Sequence, residues 1–207
     1  FTVVLNAQPA SNVVLSISSS DTGEASATSL LTFTSANWNS AQTVTVTGAD
    51  DNIIDGTINS TLTLAIVDAI TDDNFDSVAD QTVSVATTDN DVAGFTITQT
   101  GGSTSVSESG TTDTFTVVLN AQPASNVVLN ITSADTGEAT VTGTLTFTAA
   151  NWNSAQTVTV TGVDDNLIDG TVTSTLTVAV NDGSSDNNFD PVNDQTVSVT
   201  TTDNDVA

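Results

Sequence analysis

The chemistry open to this chain is that of carboxylates, hydroxyls and main-chain carbonyls. Its 207 residues include 25 Asp and Glu but no Lys, Arg, His or Cys, so the formal net charge is −25. Without cations the chain cannot neutralise nucleic-acid phosphates, and without His, Cys or Lys it lacks the usual activated nucleophiles and zinc ligands. We therefore expect no nucleic-acid partner and no enzymatic activity. The remaining oxygen donors are those that bind hard cations such as Ca²⁺.

The carboxylates gather in short motifs between Val- and Thr-rich segments. In the second half of the chain, VDDNLIDG, TTDND, SADTGEA and VSES carry Asp164, Asp165, Asp169, Asp203, Asp205, Asp135, Glu138 and Glu108. The matching motifs of the first half carry Asp50, Asp51, Asp55, Asp89, Asp91, Asp21 and Glu24. If these loops meet at one pole, their charges repel and raise one another's pKa, and bound Ca²⁺ is the natural remedy. The alternative is that Asp and Asn simply initiate turns by accepting backbone N–H groups.

A further acidic stretch, residues 181–194, matches residues 67–80. Its Asp residues recur every four positions, which would align them on a helix, but the Gly, Asn and Pro among them favour a loop. Because the stretch lacks the spacing of a known calcium loop, we interpret its carboxylates as turn-forming and solvated.

An internal repeat organises the whole chain. Residues 1–93 align without a gap to residues 115–207, and the two copies differ at 22 of 93 positions. Residues 94–114 occur once, so the repeat period is 114 residues. We interpret residues 1–93 as a truncated first repeat that lacks its opening strands, and residues 94–207 as a complete second repeat.

The hydrophobic pattern within each copy has a period of two residues. Apolar residues such as Leu145 and Phe147 alternate with threonines, and the pairs Val158/Val160 and Val197/Val199 follow the same rule. Alternation of this kind, in Val- and Thr-rich segments separated by turn residues, predicts half-buried β-strands. About seven short strands per copy predict an all-β fold of tandem immunoglobulin-like antiparallel β-sandwiches, stacked end to end because the junction DNDVAG is short.

The order of the motifs resembles the Calx-beta repeat. The segments VSE, GEA, LTF, TVTVTGVDDNLIDG and TVSVTTTDNDVAG follow one another as in that family, over nearly all of residues 94–207 and most of 1–93. The resemblance implies Ca²⁺ at one pole of the sandwich. The ligands it implies are Glu108, Asp164, Asp165, Asp169, Asp203 and Asp205, with Asp135 as a further candidate. The family often has more acidic residues after its DD pair, whereas here only Asp169 follows, which favours fewer ions. The D-N-D junction also resembles cadherin-type linkers.

These features predict a structural repeat of an extracellular surface fibre, adhesin stalk or filament, rigidified by Ca²⁺. Millimolar extracellular Ca²⁺ suits weak sites made of loop carboxylates, and no apolar run is long enough to insert in a membrane. The expected partners are neighbouring repeats or other copies of the same protein. The alternative is a calcium-dependent adhesive module for a carbohydrate or cell-surface ligand, although the similarity of the two copies favours a structural role.

The first copy lacks a counterpart of residues 94–114. We expect this to leave an open β edge and to uncover part of the core around Phe1, Val3 and Leu5. Because an uncharged open edge is a template for another strand, we expect an equivalent of 94–114 from elsewhere to complete the first copy.

Overall fold

The computed structural model describes residues 1–206, and these form an all-β protein of predominantly antiparallel sheets. The chain divides into two compact units. The first comprises Phe1–Asp51 and Asp55–Asn90, and the second comprises Asn52–Ile54 and the chain from Asp91 onward. Within residues 1–206, no helix combines the length and hydropathy required to cross a bilayer.

The second unit contains two sheets built from nine strands. The strands are β9 (Phe95–Gln99), β10 (Thr104–Ser107), β11 (Thr112–Leu119), β12 (Val127–Ser133), β13 (Ala139–Val141), β14 (Thr144–Phe147), β15 (Gln156–Gly162), β16 (Val172–Val180) and β17 (Gln195–Thr202). One sheet has the order β10-β17-β16-β12-β14, and the other has the order β13-β15-β11-β9. Two 3₁₀ turns, Thr100–Gly102 and Asp182–Ser184, interrupt the connections.

One strand pair departs from the predicted antiparallel arrangement. Strand β10 runs parallel to β17, with Thr104 opposite Val199 and Ser107 opposite Thr202. The cause is a change of sheet, because the chain leaves β9 in one sheet and enters β10 in the other. Gly101 and Gly102 make this crossing with φ values of 69° and 85°, a backbone region that glycine adopts without steric cost.

The core of the second unit lies between its two sheets. Phe115, Phe147, Phe189, Leu129 and Leu176 are fully buried there, and Trp152 packs against their cluster. Alternate residues of β16 and β17 point into this core, as the threonine–aliphatic alternation predicts.

The first unit contains eight strands in smaller sheets. The strands are β1 (Thr2–Val3), β2 (Val13–Ser19), β3 (Ala25–Ala27), β4 (Leu30–Phe33), β5 (Gln42–Thr43), β6 (Val46–Gly48), β7 (Ile58–Ile66) and β8 (Gln81–Thr87). The four-stranded sheet has the order β4-β2-β7-β8, and β1-β5 and β3-β6 form separate pairs. The 3₁₀ turns are Asp68–Ile70 and Asp73–Phe75. The core is smaller, with Phe33, Leu62 and Val13 at its centre.

The first unit contains no strand equivalent to β9 or β10 among residues 1–90. Strand β1 pairs only with β5, and β8 pairs only with β7. Phe1, the first residue of the sequence, is 42% exposed, whereas its counterpart Phe115 is completely buried.

Candidate metal centre

Two buried glutamates stand at one end of the second unit. Glu108 directly follows β10 and is 1% exposed, and Glu138 directly precedes β13 and is 6% exposed. Both are fixed through their backbones: the Glu108 N–H donates to the Thr202 carbonyl at 3.1 Å, and the Glu138 carbonyl accepts from the Val163 N–H at 2.9 Å. The strands β10, β13, β15 and β17 therefore position the two side chains together.

Three aspartates complete an acidic group, which we call the Glu108 cluster: Glu108, Glu138, Asp165, Asp169 and Asp205. Single carboxylate oxygens of Glu108, Asp165 and Asp205 lie within 4.8 Å of one another, and so do those of Glu108, Glu138 and Asp169. Glu108 belongs to both trios. The arrangement therefore brings carboxylates from four separate loops within the reach of shared ions.

Several oxygens of this cluster have no hydrogen-bond partner among the described residues. They are Glu108 Oε1, Glu138 Oε2 and Asp205 Oδ2, and each of these atoms is buried. The second Glu108 oxygen, Oε2, accepts the Asn204 N–H at 3.1 Å. A buried, unpaired carboxylate oxygen costs free energy unless a hydrogen-bond donor or a cation satisfies it. The sequence offers no Lys, Arg or His side chain to pair with them, so a bound cation fits these oxygens.

The surroundings of Glu138 and Asp205 favour protonation of these two carboxyl groups when no cation is bound. Burial raises the pKa of Glu138, and the charges of Asp169 and Asp135 raise it further. Burial followed by the charges of Asp203 and Asp164 raises the pKa of Asp205.

Glu108 feels opposing influences. The Asn204 N–H lowers the pKa of its carboxyl, but burial together with the Asp203 and Asp165 charges outweighs that bond, so the pKa is raised. Both glutamates of the cluster thus carry a charge that their surroundings penalise.

Other predicted ligands organise the loops around the cluster. Asp203 Oδ2 accepts the Gly170 N–H at 2.9 Å and its Oδ1 accepts the Asp205 N–H at 2.6 Å, and these bonds lower the pKa of Asp203. Asp164 Oδ1 accepts the Asn204 side-chain amide at 3.0 Å. Asp135 is exposed and accepts the Gly137 N–H at 3.0 Å. Asp203 and Asp135 each accept the N–H group two residues on, Asp164 and Asp203 also link separate loops, and all three residues lie outside both trios.

The first unit has a smaller group, which we call the Glu24 cluster: Glu24, Asp51 and Asp55. One oxygen from each lies within 4.8 Å of the other two. Burial followed by the charges of Asp55 and Asp21 raises the pKa of Glu24. Asp89 accepts the Asp55 and Gly56 N–H groups at 3.1 and 2.9 Å, as Asp203 does in the second unit.

The remaining two predicted ligands of the first copy lie outside the Glu24 cluster. Asp50 is exposed on the loop after β6. Asp91 is half-buried and belongs to the second compact unit.

Glu138 and Glu24 were not among the predicted ligands, although their motifs were recognised as acidic loops. Their position in a DTGEA turn, far from the DD pairs in sequence, favours a purely turn-forming interpretation. The signal in the sequence that could have identified Glu138 and Glu24 as ligands was their residue type. The chain contains only three glutamates, and all three lie in these clusters, while every other acidic residue is the shorter aspartate.

One aspartate in each acidic stretch, 67–80 and 181–194, forms a turn as predicted but is buried rather than solvated. Asp186 is buried rather than solvated, and it accepts the Ser125 and Asn188 N–H groups at 2.8 and 3.0 Å. Asp72 likewise accepts the N–H groups of Ala10, Ser11 and Asn74. Each carboxylate therefore ties its loop to the loop before β2 or β12, which a charged side chain does well because charge-assisted hydrogen bonds are strong.

We expect Asp72→Asn to reduce stability in a pH-dependent way. The Ser11 and Asn74 N–H groups lower the pKa of Asp72 from 3.8 to about 2. A depressed folded-state pKa stabilises the fold above the unfolded value, and this contribution disappears as the pH falls through the folded value. In urea unfolding followed by Trp38 fluorescence in a Trp152→Phe background, chains with and without Asp72→Asn should differ most near neutral pH and converge between about pH 4 and pH 2. The exposed Asp80→Asn is the charge-matched control, and a difference independent of pH would contradict this role.

No protein-family model and no curated protein matches the sequence. Among solved structures, domains 4 and 5 of the S-layer protein SbsC are 18% identical, with a TM-score of 0.43, and the match covers 91% of this chain and 70% of that one. A longer SbsC structure, domains 1–6, gives the same TM-score and identity over 93% of this chain, which spans only 20% of it. The apo-form Calx CBD1 domain is 14% identical, with a TM-score of 0.38, over 54% of this chain and 98% of that one. All three TM-scores are below 0.5, so the function must be argued from this chain's own carboxylates.

Proposed function

We propose that this chain is a calcium-rigidified structural module of an extracellular surface protein. The observation that carries the proposal is the pair of buried glutamates, Glu108 and Glu138, each with an oxygen that lacks a partner. Both lie in a group of five carboxylates in a chain without a single basic side chain. Ca²⁺ takes six to eight oxygen ligands, and its charge offsets repulsion that no side chain of this protein offsets.

The ligands that we assign are Glu108, Glu138, Asp165, Asp169 and Asp205. Because Glu108 belongs to both trios, its carboxylate would contribute to whichever ion either trio holds. Asp164, Asp203 and Asp135 would fix the loops next to the ligands and would add negative charge around the site. In the first unit the Glu24 cluster has three carboxylates, all of them at least partly exposed, so we expect it to bind Ca²⁺ more weakly.

The proposed role of the ion is mechanical. The cluster joins the end of β10, the start of β13, the loop after β15 and the end of β17. An ion shared by these elements would hold the two sheets together at this end of the sandwich and resist their separation under force. Millimolar Ca²⁺ outside cells would keep such a site loaded, and the high negative charge would keep a crowded fibre soluble.

The two compact units would then be consecutive repeats of one fibre, arranged end to end. This part of the proposal is supported by the sequence repeat and by the short connection between β8, which ends at Thr87, and β9, which begins at Phe95.

We expect Ca²⁺ to stabilise the second unit and Glu138→Gln to abolish most of that effect. A native-state ligand at a hundredfold excess over its Kd adds about 2.7 kcal/mol to the free energy of unfolding. In EDTA we expect Glu138→Gln to have a higher melting temperature than the parent, because the substitution removes a buried charge that nothing offsets. Calorimetric titration and melting curves at low ionic strength measure both effects.

Asp194→Asn is the matched control for this test, since Asp194 is exposed and lies outside both clusters. It changes the net charge by the same amount and should leave both calcium binding and the response to EDTA at parental values. A parental melting temperature that is identical with and without the chelator would refute the calcium role.

A further inference from the structure

The loop between β16 and β17 contains a buried carboxyl oxygen that the metal centre does not use. Asp190 Oδ1 is buried and has no hydrogen-bond partner among residues 1–206. It differs in this from Asp186 of the same loop, whose oxygens accept the Ser125 and Asn188 N–H groups. Asp190 also lies outside both trios of carboxylates. Burying a polar atom without a hydrogen bond costs free energy, so turn formation does not account for the position of this oxygen.

Two anchored residues hold the peptide bond between Asp190 and Pro191 in place. Phe189 is completely buried in the core of the second unit, and Val192 packs against the same core. The Val192 N–H donates to the Phe189 carbonyl at 3.0 Å and closes a turn around the bond, while the Asp190 N–H donates to the Asn187 carbonyl at 3.3 Å. Because the backbone is constrained on both sides, little conformational freedom is lost when the Asp190 carboxyl group meets its own backbone.

Proline makes this bond a better target for the neighbouring carboxyl group than an ordinary peptide bond is. The Pro191 nitrogen belongs to a tertiary amide and has no N–H, and such a nitrogen accepts a proton more readily than that of a secondary amide. The Asp190 side-chain oxygen can reach its own main-chain carbonyl carbon by closing a cyclic anhydride. A nucleophile and its target held within one residue also avoid the entropic cost of a bimolecular reaction.

The first copy lacks this combination at the equivalent turn. The counterpart of Asp190 is Asp76, which is exposed and is followed by Ser77 rather than by proline. The turn itself is the same, because the Val78 N–H donates to the Phe75 carbonyl at 2.9 Å. The chain therefore contains one turn with the Asp–Pro bond and an equivalent turn without it, and the second serves as an internal control.

We propose that the peptide bond between Asp190 and Pro191 is a self-cleavage site of the folded second unit. The Asp190 side-chain oxygen attacks the main-chain carbonyl carbon of the same residue, and the bond from that carbon to the Pro191 nitrogen breaks. The carboxyl proton passes to the departing nitrogen, which becomes the amino terminus of the second fragment. Water then opens the cyclic anhydride and leaves Asp190 as the carboxyl terminus of the first fragment. The net reaction is the hydrolysis of one peptide bond, and it is independent of the calcium role.

The cut falls before β17 and does not by itself release that strand. In its sheet β17 lies between β10 and β16, so backbone hydrogen bonds on both edges retain the second fragment in the folded unit. Asp205 of the Glu108 cluster follows β17, so cleavage places it on a different polypeptide from Glu108. Because the two fragments stay together in native solution, cleavage has to be measured after denaturation.

The test incubates the 207-residue chain at about pH 5, where a fraction of Asp carboxyl groups carry the proton that the reaction transfers. Tryptophan fluorescence verifies that the chain stays folded, and samples are denatured at intervals for mass measurement. We expect fragments 1–190 and 191–207 to appear at a rate that is independent of protein concentration. The chain unfolded in urea at the same pH should cleave at least tenfold more slowly, because it lacks the constrained turn.

Two substitutions distinguish self-cleavage from cutting by a contaminating protease. Pro191→Ser gives the turn the Asp–Ser sequence of the first copy, and Asp190→Ala removes the nucleophile, so both should prevent cleavage while the chain stays folded. Asp194→Asn, at an exposed position of the same loop, is the matched control and should cleave at the parental rate. Cleavage that persists in folded Pro191→Ser or Asp190→Ala, or a folded parent that yields no fragments, overturns the proposal. An equal rate in urea also overturns it, because the bond would then be labile without any contribution from the fold.

Discussion

Replacing Phe115 by alanine should lower the free energy of unfolding of the second unit by about 3–5 kcal/mol, the usual cost for a buried phenylalanine. Phe1→Ala, at the equivalent position of the first copy, should cost the first unit less than about 1 kcal/mol, because a side chain that already contacts water leaves a smaller cavity. Phe115 is completely buried between the sheets, whereas Phe1 is 42% exposed. The two positions have the same residue followed by the same sequence, but residues 94–114 stand before Phe115 and have no counterpart before Phe1 in this sequence.

The measurement requires a signal from each unit separately. The chain has two tryptophans, Trp38 in the first unit and Trp152 against the core of the second. Urea unfolding of Phe115→Ala is therefore followed in a Trp38→Phe background, and that of Phe1→Ala in a Trp152→Phe background. Equal losses at the two positions would mean that Phe1 is buried in solution and would contradict the difference in exposure.

The strands were predictable because burial alternates along them. In β16 the side chains of Leu176 and Val178 are buried, whereas Thr175, on the opposite face of the strand, is exposed. A two-residue period requires this alternation. Pairing was less predictable, since alternation says which face of a strand is buried but nothing of its partner. The parallel contact of β10 with β17 depends on a change of sheet at Gly101 and Gly102, and a Gly pair in sequence also fits an ordinary turn.

The acidic loops were predictable, but the individual ligands were only partly so. Asp165 and Asp169 enter the trios, while Asp164 next to them bonds the Asn204 amide instead. Adjacent residues of a loop point in different directions, and motif spacing does not decide which one faces the cluster. Glu138 was missed for a related reason, because strand pairing of β13 with β15 brings it there across a long sequence separation.

Substituting alanine for glycine at two equivalent positions should have opposite effects in the two units. Gly162→Ala should destabilise the second unit by about 3 kcal/mol, the upper end of the usual cost of overpacking. Its Cβ would lie 2.1 Å from the Ser107 carbonyl oxygen and 2.7 Å from the carbonyl carbon, and these backbone atoms can move only if β10 moves. Gly48→Ala should instead stabilise the first unit by about 0.5 kcal/mol, because alanine loses less conformational entropy than glycine in a strand.

Displacing β10 should also weaken the metal centre, because Glu108 directly follows that strand and belongs to both trios. Gly162→Ala should therefore reduce calcium affinity at the second unit as well as stability, while Gly48→Ala leaves that affinity unchanged. Melting curves followed by tryptophan fluorescence give the stability of each variant, and calorimetric calcium titrations give its calcium affinity. A Gly162→Ala protein with parental stability and calcium affinity would mean that β10 does not lie against β15 in solution.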